Sequence, residues 1–261
     1  MSILQAIILG VLQGLTEFLP ISSSGHLMLA EHLFGLKQNN LFFNVLLHFA
    51  TLVAVVIVFW KDIVEILKHP LSNKMQAIVV ATIPTVILAL IVNHFTDEFA
   101  LMAFLGFGFL ISAIVIAATS IYQKKRPLVN CYQINNKKAF VIGLVQGLAV
   151  FPGISRSGST ICAGLLQGVQ REECAKFSFL ISIPVILGGM IFELYDAVRF
   201  GLNNIDALPC IIGFMVAFVV ALFTIKFMMK IVKKGNWWYF AIYLSALGIL
   251  VLLNQYVFCW F

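Results

Sequence analysis

The sequence predicts an all-α polytopic membrane protein built from two inverted-topology repeats, each a re-entrant helix hairpin plus three transmembrane helices. Three observations lead there. Of 261 residues, 61% are apolar and only 11% are charged, whereas an ordinary soluble domain carries roughly 25% charged residues. The apolar residues fall in blocks of about 20, the helix length that crosses a hydrocarbon core of roughly 30 Å. Finally, the first half of the chain recurs in the second. The mean hydropathy of +1.02 agrees. A soluble fold is excluded, and so is a β-barrel, whose strands would alternate in segments of about 10 residues.

The elements follow in chain order. Met1 to Pro20 is apolar, with no Lys or Arg ahead of it and no small-residue cleavage site, so it is expected to stay in the mature protein. The apolar stretch Ile3 to Phe34 is interrupted by FLPISSSG. Each piece is then roughly 12 to 16 residues, or about 18 to 24 Å of helix, too short to cross. Leu41 to Trp60, Met75 to His94 and Phe99 to Tyr122 are each long enough. The region Phe140 to Val169 is interrupted in its turn by FPGISRSG, and Cys174 to Val198, Ile205 to Met229 and Trp237 to Phe258 complete six crossings. Pro, Gly and Ser at membrane depth are tolerated only where they are buried in protein or line a wet cavity.

The two interrupted regions match each other. AIILGVLQGLTEFLPISSSGH (Ala6 to His26) lies over AFVIGLVQGLAVFPGISRSGS (Ala139 to Ser159) with a constant offset of 133. Gly10, Gln13, Gly14, Phe18, Ser22, Ser24 and Gly25 recur as Gly143, Gln146, Gly147, Phe151, Ser155, Ser157 and Gly158. A weaker match at offset 134 sets Phe43 to Asp62 over Phe177 to Asp196. The chain reads as one membrane domain with a repeat at about 1–130 and another at about 131–261.

The basic residues choose the threading. If each interrupted region is a hairpin, 14 Lys and Arg gather on one face, among them Lys61, Lys68, Lys74, Lys124, Lys137, Arg171 and Lys233, against Lys37 and Arg199 on the other. Kinked spans instead would divide the same residues 9 to 7. Only the hairpin threading obeys the positive-inside rule. Three crossings per half make the repeats inverted, put both termini outside and let the hairpins enter from opposite faces, their turns meeting near the middle. The net charge of +6 is accounted for by this asymmetry rather than by nucleic acid. Cys131, Cys162, Cys174, Cys210 and Cys259 have no paired spacing and are assigned no role.

The turns carry the chemistry. Ser22, Ser23, Ser24 and Gly25 open one short helix, and Ser155, Ser157, Gly158 and Ser159 the other. Free N–H groups at a helix N-terminus, together with the helix dipole, favour an anion, and two facing ends would cradle phosphate. Arg156 is the only Lys or Arg inside a membrane-embedded segment, and its guanidinium fork matches phosphate oxygens. His26 lies three residues after Ser23 on the same helix face, and Gln13 and Glu17 share a face pointing toward the turn. Ionisable groups inside a membrane are functional candidates by default. His48, His94, Asn93, Glu193 and Asp196 are isolated or near span ends and are assigned structural roles. The 24 phenylalanines face lipid, pack between helices or line a groove for an acyl or prenyl chain.

The strings LQGLTEFLPISSSGHL and FPGISRSGST resemble the two signature motifs of the bacterial undecaprenyl-diphosphate phosphatases, the bacitracin-resistance family, and the likeness covers essentially the whole chain. It implies an inner-membrane enzyme that removes one phosphate from undecaprenyl diphosphate on the outer face, recycling the lipid carrier of wall polymers and countering bacitracin. It implies site roles for Glu17, Ser23, His26, Ser155, Arg156 and Thr160, and a divalent cation, Mg²⁺ or Ca²⁺. Many family members carry Glu where this chain has Gln13, so Glu17 is left to act alone as base or tentative metal ligand. The implied partners are the prenyl diphosphate lipid and membrane lipid, with no nucleic acid; the oligomeric state stays open, a dimer included. Ser23 is the favoured nucleophile, attacking the terminal phosphorus with His26, one turn along, or Glu17 as its base; direct attack by His26 or by a water activated by Glu17 are the alternatives. The rival class is a transporter or lipid flippase, since inverted repeats with broken helices are also transporter architecture.

Overall fold

A computed structural model describes residues 1–36, 41–95, 98–125, 133–200, 206–235 and 237–258. Lys37, Arg126, Cys131 and Cys259 lie outside them, as do the side chains of Asn93, Glu193, Asp196 and Arg199. The described residues are helical almost throughout: α1 (Ile3–Thr16), α2 (Ser23–Leu33), α3 (Leu41–Val58), α4 (Trp60–Lys68), α5 (Asn73–Phe95), α6 (Glu98–Lys125), α7 (Asn136–Leu148), α8 (Arg156–Leu166), α9 (Arg171–Phe200), α10 (Ala207–Lys234) and α11 (Trp238–Leu253). A π-helical turn, Asn254–Phe258, extends the last. Six helices, α3, α5, α6, α9, α10 and α11, are long and apolar enough to cross a membrane. Their outward faces carry large apolar side chains such as Phe223, Ile191 and Ile114, about 70% exposed, as lipid-facing helices do.

The interrupted regions fold as the short pairs α1–α2 and α7–α8, with 14, 11, 13 and 11 residues. The sequence did not announce α4. Trp60 to Lys68 forms a separate helix after the first span, α3, because Ile63 and Ile66 pack into the core while Lys61, Glu65 and Lys68 face outward.

Small residues decide how the short helices pack. On α1, a Cβ added to Gly10 would stand 2.7 Å from Gly213 O, and one on Gly14 2.7 Å from Ala217 O, so the helix lies directly on α10. On α7, Gly143 presses on the backbone at Ala81 and Gly147 on Leu88, so the same spacing seats it on α5. Contacts advance in the same direction along both members of each pair. Thr85 Oγ1 ties the second pair by donating to Gly143 O at 2.9 Å.

Polar contacts sort the two ends of the bundle. At one end Lys176 pairs with Asp62 at 2.5 Å and Lys233 with Glu172 at 3.1 Å. There too Arg171 Nε donates to Gln123 Oε1 at 3.2 Å, and Asn136 Nδ2 to Gln76 Oε1 at 3.5 Å. These contacts collect α4, the starts of α5, α7 and α9 and the ends of α6 and α10. Away from that end, the Met1 amino group lies 3.8 Å from Asp206, joining the starts of α1 and α10. Between the ends, Phe18, Phe109 and Phe179 are fully buried in the largest core cluster, and Phe18 meets Phe179 edge-on at 5.5 Å.

Candidate active site at the paired turns

The turn after α1 and the turn after α7 meet. Ser157 Oγ, from the second, donates to Leu19 O of the first at 2.9 Å. Each turn ends on a serine cap: Ser22 Oγ accepts from Gly25 N at 3.4 Å and Ser155 Oγ from Gly158 N at 3.0 Å. Ser23, Ser24, Arg156 and Ser157 are the first residues of these helices, where backbone N–H groups have no intrahelical acceptor, and all four line one cavity, as helix N-termini offered to an anion do. Ser22 holds φ at +69°, the only non-glycine with positive φ among the described residues. Backbone held there against its preference is characteristic of ligand-clamping turns. Ser155, its repeat mate, is relaxed at φ −75° because the second turn bends at Gly153 instead, φ +83°. Gly153 nestles against α6 and its carbonyl accepts from Ser112 Oγ, which in turn accepts from Ser155 N at 2.8 Å.

Glu17 is the hub. It is 4% exposed, and four polar side chains converge on its carboxylate. Ser23 Oγ donates to Oε2 at 2.6 Å, Gln13 Nε2 donates to the same oxygen at 3.0 Å, and Arg156 Nη2 pairs with Oε1. His48 Nε2 stands 4.0 Å from Oε2. The His48 Nδ1 lies 2.9 Å from the carbonyl of Asn44, which can only accept, so Nδ1 carries a proton and Nε2 faces the carboxylate. These groups open on a cavity of about 440 Å³. Its polar wall is Thr16, Glu17, Ser22 to Ser24, His48, Thr85, Gln146 and Ser155 to Ser157; its far wall is apolar, from α5 and α9.

The structure brings Gln13, Glu17, Ser23 and Arg156 together as the sequence expected, with Ser22, Ser24, Ser155 and Ser157 around them. Other candidates stand apart. His26 is not beside Ser23 as a base: its Nδ1 donates to Ser22 O at 2.7 Å and its Nε2 accepts from Tyr243 Oη at 2.7 Å. Its ring meets Phe109 edge-on and lies nearly parallel to the ring of Tyr243. In the neutral ring both nitrogens are occupied, and His26 acts as a pin between the first turn and α11. Thr160 faces away from the cavity, hydrogen-bonding Ser178 Oγ at 2.6 Å and the carbonyl of Arg156 at 2.9 Å, so it anchors the start of α8 to α9. Gly25 and Gly158 serve close packing, against Phe109 and Pro20 respectively, and Ser159 is buried outside the cavity lining.

Four polar cavity residues, Thr16, His48, Thr85 and Gln146, are not among the site candidates of the sequence. Gln146, the repeat mate of Gln13, donates to Thr85 Oγ1 at 3.1 Å. His48, set aside as isolated, faces Glu17 from another helix, and the signal for it was simply an imidazole within an apolar span.

The family model described as "Bacitracin resistance protein BacA" matches residues 6–250. An undecaprenyl-diphosphatase of Carboxydothermus hydrogenoformans is 40% identical over 258 residues, covering 98% of each chain. One of Halothermothrix orenii is 38% identical over 261 residues, with 99% of this chain and 100% of the relative covered. One of Bacteroides thetaiotaomicron is 39% identical over 271 aligned positions, with 98% and 100% covered.

Proposed function

The chain belongs to the bacitracin resistance (BacA) family, and on that premise we propose that it hydrolyses undecaprenyl diphosphate to undecaprenyl phosphate and phosphate. The site acts at the outer face of the bacterial inner membrane, recycling the lipid carrier for cell-wall synthesis, and its abundance sets resistance to bacitracin. One observation carries the reading: Ser23 Oγ donates to a buried carboxylate whose other oxygen holds Arg156, all beside two helix N-termini in one cavity.

The chemistry follows from that chain of contacts. The terminal phosphate docks against the N–H groups of Ser23, Ser24, Arg156 and Ser157 and draws the guanidinium of Arg156 from Glu17. Glu17, freed of its counter-charge, takes the Ser23 proton as Oγ attacks the terminal phosphorus; the bond to the bridging oxygen breaks and undecaprenyl phosphate leaves. Water then attacks the phosphoserine, giving its proton to a phosphate oxygen, while Glu17 returns its own to Ser23 Oγ. Arg156 and the helix ends balance the charge spread over the transferred phosphoryl group. His48 Nε2 adds a second group near the carboxylate.

A divalent cation held by the protein alone does not fit this donor set. Glu17 is the one carboxylate lining the cavity, both its oxygens are engaged, and the described residues contain no group of three or more His, Cys, Asp and Glu able to hold a metal. Mg²⁺ or Ca²⁺ would arrive with the diphosphate and offset part of its charge.

In this reading α1–α2 and α7–α8 are re-entrant hairpins of two inverted repeats. The packing of α1 along α10 and of α7 along α5 supports it, since α5 starts at the basic end and α10 finishes there. The gathering of Lys176, Lys233 and Arg171 at one end supports a cytoplasmic assignment for that end. The cavity is lined by α5 from Thr85 to Leu90 and α9 from Val185 to Phe192, stretches beyond the midpoints of helices that start at the basic end, in keeping with an outward opening. The test is phosphate release from undecaprenyl diphosphate by purified protein in detergent, where transport has no meaning. Turnover by the native chain and none by Ser23→Ala is expected; a native chain that binds the lipid without releasing phosphate refutes the reading in favour of a flippase.

A further inference from the structure

Most helix glycines near the site are there because a neighbour leaves no room for a side chain. Gly188 and Gly189 are the opposite case. They lie side by side in α9, and a Cβ built on either meets nothing within 4 Å. Glycine weakens a helix interior through its backbone freedom, and close packing does not explain it here. Both residues line the cavity of the paired turns, at its apolar side, together with Val86, Ala89 and Leu90 of α5. The missing side chains thus leave a gap between α9 and α5.

A second cavity, of about 580 Å³, takes up where that gap ends. It shares Val86 with the first and begins on α9 at Leu187, the neighbour of Gly188. Its lining is apolar but for Thr82, and it follows α5 from Ile87 back to Met75, a run of about 18 Å. It therefore leads from the polar site toward the basic end, through the depth where lipid chains lie.

We infer that the gap at Gly188 and Gly189 is the lateral portal of the site, and that the prenyl chain of the diphosphate lipid leaves the cavity through it and lies along the α5–α9 groove. This rests on the reading of the turns as a diphosphate site. It makes the glycine pair a determinant of chain-length specificity, because a side chain there obstructs a long prenyl tail and spares a diphosphate too short to reach the gap.

The experiment compares Gly188→Leu, Gly189→Leu and, from the opposite wall, Val86→Trp with the native chain on undecaprenyl diphosphate and on a five-carbon prenyl diphosphate. A side chain filling the portal is expected to lower kcat/KM for the long substrate by about tenfold or more, leaving the short one within about twofold. Equal losses on both substrates, or no loss on either, overturn the portal. A readout independent of these variants is photolabelling of the native protein with a lipid diphosphate bearing a diazirine in its first isoprene units. Label on α5 and α9 peptides supports the groove, and label confined to α6 and α11 refutes it. Loss of phosphate release by the native chain on both substrates is a separate result: it removes the phosphatase reading, whereas normal turnover with unselective variants removes only the portal.

Discussion

Replacing Glu17 by Gln keeps the size of the side chain and removes its charge, which separates the base from the scaffold. The carboxylate accepts from Ser23 Oγ at 2.6 Å and holds Arg156 on its other oxygen, so two effects oppose each other. A positioned general base contributes typically 10²–10⁴-fold, which at 1.36 kcal/mol per tenfold is about 2.7 to 5.4 kcal/mol of barrier. Against that, the amide no longer competes with substrate for the guanidinium, so an anionic diphosphate meets an Arg156 already free to bind it. The expected signature is therefore a kcat lower by about 10²–10⁴-fold with KM unchanged or reduced. Breaking a buried ion pair costs about 3–5 kcal/mol when the surviving charge is stranded; with the Arg156 side chain 20% exposed to the cavity, the loss of stability stays below that range. Steady-state phosphate release in detergent, alongside a thermal melt of the same preparation, measures both. Gln13→Ala is the companion: it deletes one of the donors to Oε2, and a loss under about tenfold is expected. A Glu17→Gln enzyme with kcat within about threefold of native and a raised KM would refute the assignment of Glu17 as base.

Arg156→Lys keeps the charge but not the fork, and a fall of about 10²-fold or more in kcat/KM is expected; near-native turnover would reduce Arg156 to a source of field. Phospho-enzyme trapped with labelled substrate should be acid-stable and absent from Ser23→Ala, whereas an acid-labile adduct would move the nucleophile to a histidine. Tyr243→Phe leaves His26 Nε2 without its donor and should lower stability by about 1–3 kcal/mol with little change in the pH profile of turnover; a displaced profile would restore His26 to the proton path. A membrane-impermeant thiol reagent should reach a cysteine placed at Leu36 from outside the cell and one placed at Asn135 only from inside, and the reverse pattern would refute the inverted threading.

Helices, their breaks and the internal repeat were legible in the sequence because each is written locally. Blocks of about 20 apolar residues must cross or be buried, FLPISSSG and FPGISRSG cannot continue a helix of that kind, and the GxxxG spacing at Gly10 and Gly143 already marks two helices that need a close neighbour. The polar residues of the turns announced themselves the same way, since a carboxylate and a guanidinium at membrane depth are too costly to be incidental. Which of them meet was not written there. Glu17 and Arg156 are 139 positions apart, and as separate motifs they read as a metal ligand and a phosphate clamp; only the approach of the two turns makes them partners. His26 sits one helical turn from Ser23, which suggested a base, yet Tyr243, 217 positions away, and the carbonyl of Ser22 claim its two nitrogens. The reverse holds for His48, whose value depends wholly on α3 carrying it to Glu17. Gly188 and Gly189 look in sequence like two more packing glycines of a membrane helix, and only the empty space beside them distinguishes them from Gly10 and Gly143. Sequence fixes what a segment can become, through periodicity and the cost of burying polar groups, whereas the identity of each side chain's partner depends on distances between segments that no local pattern encodes.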